Sequence, residues 1–154
     1  RHSSEERLLD ELRALTDQIY PGLDLEREIR AVRAQGLGDT ILLRNAGTLE
    51  GMAVCHHGAG SEAGGGRCYV KFAAVLPGAG AGERFERLLN ACEGFTVESG
   101  AAQLTAGVSS GRLDAYGRLL ARGFRAEQVG VSMWLRPQEP RFDSADHYVI
   151  DDLR

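Results

Sequence analysis

The sequence predicts one α/β domain with a mixed β-sheet, whose elements follow the order α-α-β-β-β-α-β-α-β-β. Three observations predict this class. Two amphipathic helical patterns open the chain, three strand patterns then follow in direct succession, and helices alternate with strands only in the second half. Alternation favours parallel pairing and direct succession favours hairpins, so we expect both in one sheet. The 154 residues suit a single domain over 1–154.

Composition and charge narrow the classes of function. Hydrophobic residues make up 43% and charged residues 26%, an ordinary globular balance. The net charge of −4 provides no field for gathering nucleic acid or anionic lipid. No apolar run approaches the ~20 residues of a membrane span, and no signal-peptide pattern opens the chain. With three cysteines, too few for a disulfide framework, we expect a cytoplasmic protein with reduced thiols.

The first two helices are predicted from the spacing of apolar residues. Over residues 4–20, leucine and isoleucine recur at spacings of four, three and four, which places them on one helical face: Leu8, Leu12, Leu15 and Ile19. A Pro-Gly pair at 21–22 ends this helix. Asp24 is then expected to cap a second helix that runs to about Ala34.

Three strands are predicted next, over residues 40–44, 48–57 and 68–75. The glycine-rich stretch 58–66 reads as a flexible hairpin tip. Cys55 and Cys68 are equidistant from its midpoint, so a simple hairpin would place them opposite each other. With His56 and His57 adjacent, a zinc site is one interpretation, but the spacing matches no standard zinc pattern. Buried free thiols are the favoured interpretation.

The second half alternates between helices and strands. A glycine-rich loop leads into a helix over about 81–99, which Gly100 ends. The remaining predictions are a strand over 103–108, a helix from Ser109 or Ser110 to about Arg122, a strand over 125–136, a polar loop over 137–146 and a last strand over 148–151.

Several of these segments resemble the GNAT superfamily of acyl-CoA-dependent N-acetyltransferases. TLEGMAV resembles the third strand of that family, and CYVKFAAVLP followed by ERFERLLNACE resembles its fourth strand and central helix. DAYGRLLARGF is similar to the fourth helix, while VGVSMWLRP and YVIDDLR are similar to the closing hairpin. The resemblance implies a three-layer GNAT-like fold without the family's first strand.

The resemblance also implies a site for acetyl-CoA as co-substrate. In that family the fourth strand carries a bulge and diverges from the fifth, and the gap holds the pantetheine arm. Val75 and Leu76 would face that arm. Gly78 would let the backbone approach, and backbone N–H groups at the helix start would bind the phosphates. The residues at that helix start are Gly80, Ala81, Gly82 and Glu83.

Two catalytic residues are expected by the same resemblance. The family has a tyrosine on the fourth helix that protonates the leaving thiolate, and Tyr116 is the tyrosine of that segment. It lies one turn before the matching position, which Leu119 occupies, so a core aromatic is the alternative. The family's general base is a glutamate on the fourth strand. That strand offers Lys71 and no carboxylate, so Glu50 on the neighbouring strand is the expected substitute.

Two functions follow from the resemblance. The first is an N-acetyltransferase that acts on an amine of a small molecule or a protein, with no metal. The second is a GNAT-fold module that has lost its chemistry and has a structural, regulatory or ligand-binding role, because Glu83 and Phe85 occupy positions where the family has small residues. The chain starts at Arg1 and not at methionine, so a processed start and the C-terminal part of a longer chain, with a GNAT-like domain upstream, both stay open. An unfinished sheet edge also invites a homodimer.

Overall fold

The computed structural model describes residues 4–131 and 146–151. Four helices and five strands lie within these ranges: α1 (Ser4–Ile19), α2 (Glu26–Gln35), β1 (Gly38–Asn45), β2 (Thr48–Gly58), β3 (Gly64–Val75), α3 (Ala81–Glu98), β4 (Gln103–Ala106), α4 (Leu113–Ala121) and β5 (Val149–Asp151). Among the described residues, no helix combines the length and apolarity needed to span a membrane.

The five strands form one mixed sheet. β1, β2 and β3 pair as successive antiparallel hairpins, and β4 pairs with β3 in parallel. β5 pairs with β3 in the antiparallel direction. The predicted mixture of parallel and antiparallel pairs is therefore confirmed.

Helices cover both faces of this sheet, giving three layers. α3 and α4 bury one face, where Phe85 and Leu88 are fully excluded from solvent. α1 and α2 bury the other face through Leu12, Leu15 and Ile19 of the predicted stripe and through Val32. At the start of the stripe, Leu9 is buried instead of the predicted Leu8, which is half-buried. Alternate residues of the strands supply the two cores, as a pleated strand between two helical layers requires.

The first half of the chain follows local signals closely. The Asp24 carboxylate accepts the N–H of Glu26 at 2.8 Å, so it supports the start of α2 although the helix begins two residues later. Gly36 ends α2 in the left-handed conformation at φ 63°. The turn between β1 and β2 places Ala46 and Gly47 at positive φ, which suits a two-residue hairpin.

Two predictions about the second half need correction. Residues 125–131 do not form the predicted strand, and 132–136 lie outside the described residues. Val129 is 90% exposed, so the apolar residues of this segment do not pack against the described structure. α4 begins at Leu113 and not at Ser109 or Ser110, because the Ser109 carbonyl accepts the Arg112 N–H and forms a turn first. The polar loop 137–146 lies outside the described residues except for its last member.

The hairpin register also differs from the expected one. Cys55 pairs with Val70, and Cys68 pairs with His57, because irregularities after Val54 and His57 shift the two strands. The three cysteines are nevertheless buried free thiols, as favoured. The last strand, predicted over 148–151, is confirmed as β5.

Candidate functional site

A β-bulge interrupts β3 at Lys71. Val54 pairs with Phe72 and Cys55 pairs with Val70, which leaves Lys71 as the extra residue on β3. The bulge changes which face each side chain occupies. Val70 belongs to the core beneath α3, whereas Phe72 belongs to the core beneath α1 and α2. From Phe72 onward, the side chains of β3 therefore alternate between the two faces in the opposite phase.

β3 and β4 separate at the bulge, directly before Lys71. Their parallel pairing covers four residue pairs, ending at Val70 and Ala106. Beyond that point β5 takes the place of β4 beside β3, pairing Phe72 with Asp151 and Ala74 with Val149. The N–H of Asp151 donates to the Gly107 carbonyl at 3.1 Å. β5 therefore lies in the gap between the two diverging strands.

Arg112 fastens β5 in this gap. Its two terminal nitrogens contact the two carboxylate oxygens of Asp151 at 2.6 and 3.0 Å, a bidentate ion pair. One of these nitrogens also donates to the Val149 carbonyl at 3.1 Å. Arg112 is 2% exposed, so this pair is largely shielded from water. We call the Arg112–Asp151 pair the clasp.

The predicted phosphate-binding residues gather at the start of α3. Gly78 and Gly80 take φ values of 89° and 76°, which residues with a Cβ rarely adopt. The N–H of Ala81 donates to the Gly78 carbonyl, so this amide is already used inside the loop. By helix geometry, the N–H groups of Gly82 and Glu83 have no acceptor within the helix.

Arg84 stabilises the loop that leads into α3. Its guanidinium donates to the carbonyl oxygens of Leu76 (2.7 and 3.1 Å), Pro77 (3.1 Å) and Ala79 (3.0 Å). No local pattern predicts this contact, because the side chain reaches back over as many as eight residues. The guanidinium gathers the carbonyls on its own side of the loop and so fixes the direction in which α3 begins.

Two side chains cover the helix start at Gly82. A Cβ at this position would lie 2.4 Å from a terminal nitrogen of Arg118 and 3.0 Å from the Tyr148 hydroxyl oxygen. The Tyr148 ring packs against Phe85 with ring centres 5.4 Å apart, and the Arg118 guanidinium carbon lies 5.7 Å from the Tyr148 ring centre. The Tyr148 hydroxyl donates to Asp114 at 3.2 Å.

Charged pairs hold Arg118 in place. Glu86 accepts from Arg118 at 3.0 Å and from Arg122 at 2.7 Å, and Arg122 also binds Glu93 at 2.8 and 3.0 Å. Burial by itself would raise the pKa of Glu86, but the hydrogen bonds from Arg122 and then Arg118 outweigh it, so the pKa lies below its ordinary value. These contacts link α4 to α3.

The two predicted catalytic side chains occupy separate surroundings. Glu50 lies on β2, and its carboxylate accepts from Arg87 at 3.1 Å and from Asn45 at 3.2 Å. Its backbone carbonyl accepts the N–H of Leu76 at 2.8 Å, beside the loop before α3. Tyr116 is half-buried on α4, and its side chain makes no hydrogen bond to the described residues. No hydrogen bond joins the two within the described structure.

A polar cluster near the bulge was not predicted as a site. His56 is 3% exposed, and its Nε2 lies 3.1 Å from a carboxylate oxygen of Glu28. The ligand atoms of Glu28, His56 and Glu62 lie within 4.8 Å of one another, a spacing that also suits a cation. Lys71 donates to Glu62 at 2.7 and 2.9 Å and so places one positive charge there. The sequence signal that could have indicated this cluster is the position of Glu28 directly before Ile29, which the helical spacing places on the inner face of α2.

Solved structures with the same fold include aminoglycoside N-acetyltransferases. AAC(6')-Iy, bound to a bisubstrate analogue of CoA and acetylneamine, matches with a TM-score of 0.60 and 16% identity, covering 86% of this chain and 94% of its own. AAC(6')-Ih from Acinetobacter baumannii gives 0.62 and 15%, with coverages of 88% and 96%. A tetramutant of the BH1408 protein from Bacillus halodurans gives 0.66 and 13%, with coverages of 88% and 98%.

No protein-family model matches the sequence, and no curated protein matches it by sequence. The likeness therefore concerns the fold. The chain has the GNAT acetyltransferase fold, as the resemblance predicted.

Proposed function

We propose that the chain is an N-acetyltransferase that moves the acetyl group of acetyl-CoA to an amine. The observation that carries this proposal is the separation of β3 and β4 at the Lys71 bulge, next to the glycine-rich start of α3. A gap of this kind, when no strand fills it, offers strand edges to an extended ligand, and a helix N-terminus offers amides to phosphate. Two of the solved structures with this fold are N-acetyltransferases, one of them bound to a CoA analogue.

The residues do not fit acetyl-CoA in the form described. β5 pairs with Phe72–Ala74, which are the residues that line the gap on β3. Tyr148 and Arg118 cover the helix start at Gly82. The gap and the helix start are therefore available to acetyl-CoA only in a form of the chain from which β5 has withdrawn.

The proposed acceptor is a small-molecule amine that carries positive charge. Glu28 and Glu62 place carboxylates beside the bulge, where the strands begin to separate. An attacking amine must be neutral, so a group that accepts its proton assists the reaction. His56 is placed for this role because Glu28 contacts its Nε2 at 3.1 Å and so orients the imidazole.

The two catalytic residues expected from the sequence keep defined roles in this proposal. Tyr116 would protonate the departing thiolate. Its side chain is suited to this role because it makes no hydrogen bond to the described residues. Glu50 would serve as a base only after leaving Arg87, which holds its carboxylate at 3.1 Å. We therefore place His56 before Glu50 as the proton acceptor.

A second proposed function is a GNAT-fold module without chemistry. The specific observation in its favour is β5, because a strand with fully buried Val149 and Ile150 is part of the core. Leu119, where the family has its tyrosine, is likewise a core residue at 3% exposure. On this proposal the filled gap is permanent and the chain acts through its surface.

Titration with acetyl-CoA separates the two proposals. Calorimetry on the intact chain and on Asp151→Asn, which loosens the clasp, is expected to give a dissociation constant in the micromolar range for the variant. Gly80→Asp should abolish this binding in the Asp151→Asn background, because it places a carboxylate where phosphate is expected. Gly36→Asp is the matched control, since it makes the same change at a left-handed glycine remote from the loop. No binding to any form at millimolar acetyl-CoA would favour the module.

A further inference from the structure

In the folded chain, β5 fills the gap between β3 and β4, and this suggests how the site is regulated. We infer that Tyr148–Asp151 is an autoinhibitory segment that competes with acetyl-CoA for one site. This inference rests on the proposed acetyltransferase function. It states that the chain as folded is the closed form and that acyl-CoA binding requires β5 to leave.

The backbone of β5 uses the hydrogen-bonding edges that an extended ligand would need. Phe72, Ala73 and Ala74 of β3 each face a residue of β5. On the opposite side, the Asp151 N–H donates to the Gly107 carbonyl just past the end of β4. An extended ligand binds a gap in a sheet by adding itself as a strand. Because both edges are occupied by β5, such a ligand and β5 exclude each other.

The side chains of the same segment cover the second half of the proposed site. Tyr148 immediately precedes β5, and its hydroxyl oxygen lies 3.0 Å from the position of a Cβ on Gly82. Four consecutive residues thus fill the strand gap and cover the helix start. A segment that merely completed the core would not need to cover both places. Because it covers both places, the segment competes with acetyl-CoA at each of them.

The attachment of the segment to the sheet is short and includes one largely buried ion pair. β5 contributes three residue pairs to the sheet, whereas β2 and β3 pair along most of their length. Val149 and Ile150 add apolar contacts, one to each core. Short elements with few hydrogen bonds open locally at a lower free-energy cost than the global unfolding of the protein. The clasp supplies the charged contact that opposes such opening.

Weakening the clasp should therefore strengthen acetyl-CoA binding. The apparent dissociation constant equals the intrinsic one divided by the fraction of chains in the open form. Asp151→Asn keeps the size of the side chain and removes the charge that binds Arg112. We expect acetyl-CoA to bind this variant roughly tenfold more tightly than it binds the intact chain. Glu26→Gln, which weakens the pairs of Glu26 with Arg13 and Arg30 on α1 and α2, is the control and should leave the affinity unchanged.

A reversible crosslink provides the opposite test. Ala74 and Val149 face each other across β3 and β5. The Asp151 N–H donates to Gly107 and so points away from β3, which makes Phe72–Asp151 a non-hydrogen-bonded pair. Such pairs recur at every second residue, so Ala74–Val149 is also a non-hydrogen-bonded pair. The Cα atoms of such pairs are about 4.5 Å apart, within the range of about 4.4–6.8 Å that a disulfide spans. The three native cysteines belong to the core on the other side of the sheet, which disfavours mispairing.

The experiment is calorimetry with acetyl-CoA on Ala74→Cys/Val149→Cys, first oxidised and then reduced. The oxidised form should show no binding up to millimolar ligand, and reduction should restore it. The two single substitutions should show no difference between oxidising and reducing conditions. Hydrogen exchange at Val149–Asp151 should also increase when acetyl-CoA is added to the Asp151→Asn variant.

Two results would overturn the inference, and they differ in meaning. Equal affinity of the oxidised and reduced forms would show that acetyl-CoA binds without the departure of β5, and the proposed function would survive. No binding by the reduced form, the intact chain or Asp151→Asn would remove the proposed function and the inference together. A melting curve for each variant separates either result from loss of folding.

Discussion

The two halves of the sheet differ in how their strands are joined. β1, β2 and β3 follow one another as hairpins and stay paired along nearly their full lengths. β3, β4 and β5 come from distant parts of the chain, and their pairing changes partner at the bulge. The regular half is held by local contacts, and the irregular half by a few distant ones. The gap between β3 and β4, which β5 fills, belongs to the irregular half, and the proposed site lies there.

The largest expected effect is on the core beneath the irregular half. Phe85 is fully buried and supports the Tyr148 ring, so Phe85→Ala should lower the free energy of unfolding by about 3–5 kcal/mol. Chemical denaturation measures this change. Val97→Ala on the exposed side of the same helix is the control and should stay within about 0.5 kcal/mol. A loss below about 1 kcal/mol at Phe85 would mean that this ring is not packed as described.

Loss of the clasp should lower the local stability of the irregular half of the sheet and leave the regular half unchanged. Asp151→Asn leaves a buried guanidinium without its carboxylate, and breaking a buried pair costs about 3–5 kcal/mol where no relief is possible. Because β5 can detach, we expect faster hydrogen exchange at Val149 and Ile150 while the amides of β2 remain protected. Uniformly faster exchange in both halves would contradict an attachment that opens locally.

Two glycines of α3 should respond to alanine with opposite signs. Gly94 has open space around it, so Gly94→Ala should stabilise the protein by up to about 1 kcal/mol through helix propensity. Gly82→Ala gains the same propensity but forces Arg118 and Tyr148 away, so it should be neutral or destabilising. Thermal denaturation compares them. Equal stabilisation by both substitutions would show that nothing covers Gly82.

The smallest expected effect is the pH dependence contributed by Glu86. The pKa of this group is lowered in the folded protein, so its stabilisation is complete above the unfolded pKa of about 4.3 and is lost as the pH falls through the lower folded pKa. The stability advantage of the intact chain over Glu86→Gln should therefore be below about 1 kcal/mol at pH 6 and smaller still near pH 3. An advantage that grows on acidification would contradict the assignment.

Local patterns predicted the regular half well. The leucine spacing of α1 and the apolar runs of β2 and β3 reflect burial that each segment carries in its own sequence. The glycine-rich loop likewise marked the start of α3, because left-handed backbone at Gly78 and Gly80 requires a residue without Cβ. These features depend on neighbours within a few residues.

The irregular half depends on contacts that no local pattern encodes. The sequence predicted a strand over 148–151, but its pairing with Phe72–Ala74 joins residues more than 70 positions apart. The contact of His56 with Glu28 likewise connects β2 to α2. The predicted strand at 125–136 does not form over 125–131 because a strand also needs a neighbouring strand to pair with, and alternation in the sequence does not supply one. The position of Lys71 at the bulge became evident only from the register of two strands.

The position of β5 is the central claim, and a nuclear Overhauser measurement tests it most directly. The α-protons of opposed residues in a non-hydrogen-bonded antiparallel pair lie close together, so Ala74 and Val149 should show a strong cross-strand contact in the ligand-free chain. That contact should disappear from Asp151→Asn saturated with acetyl-CoA. Absence of the contact in the ligand-free chain, or its persistence in the saturated variant, would contradict the account.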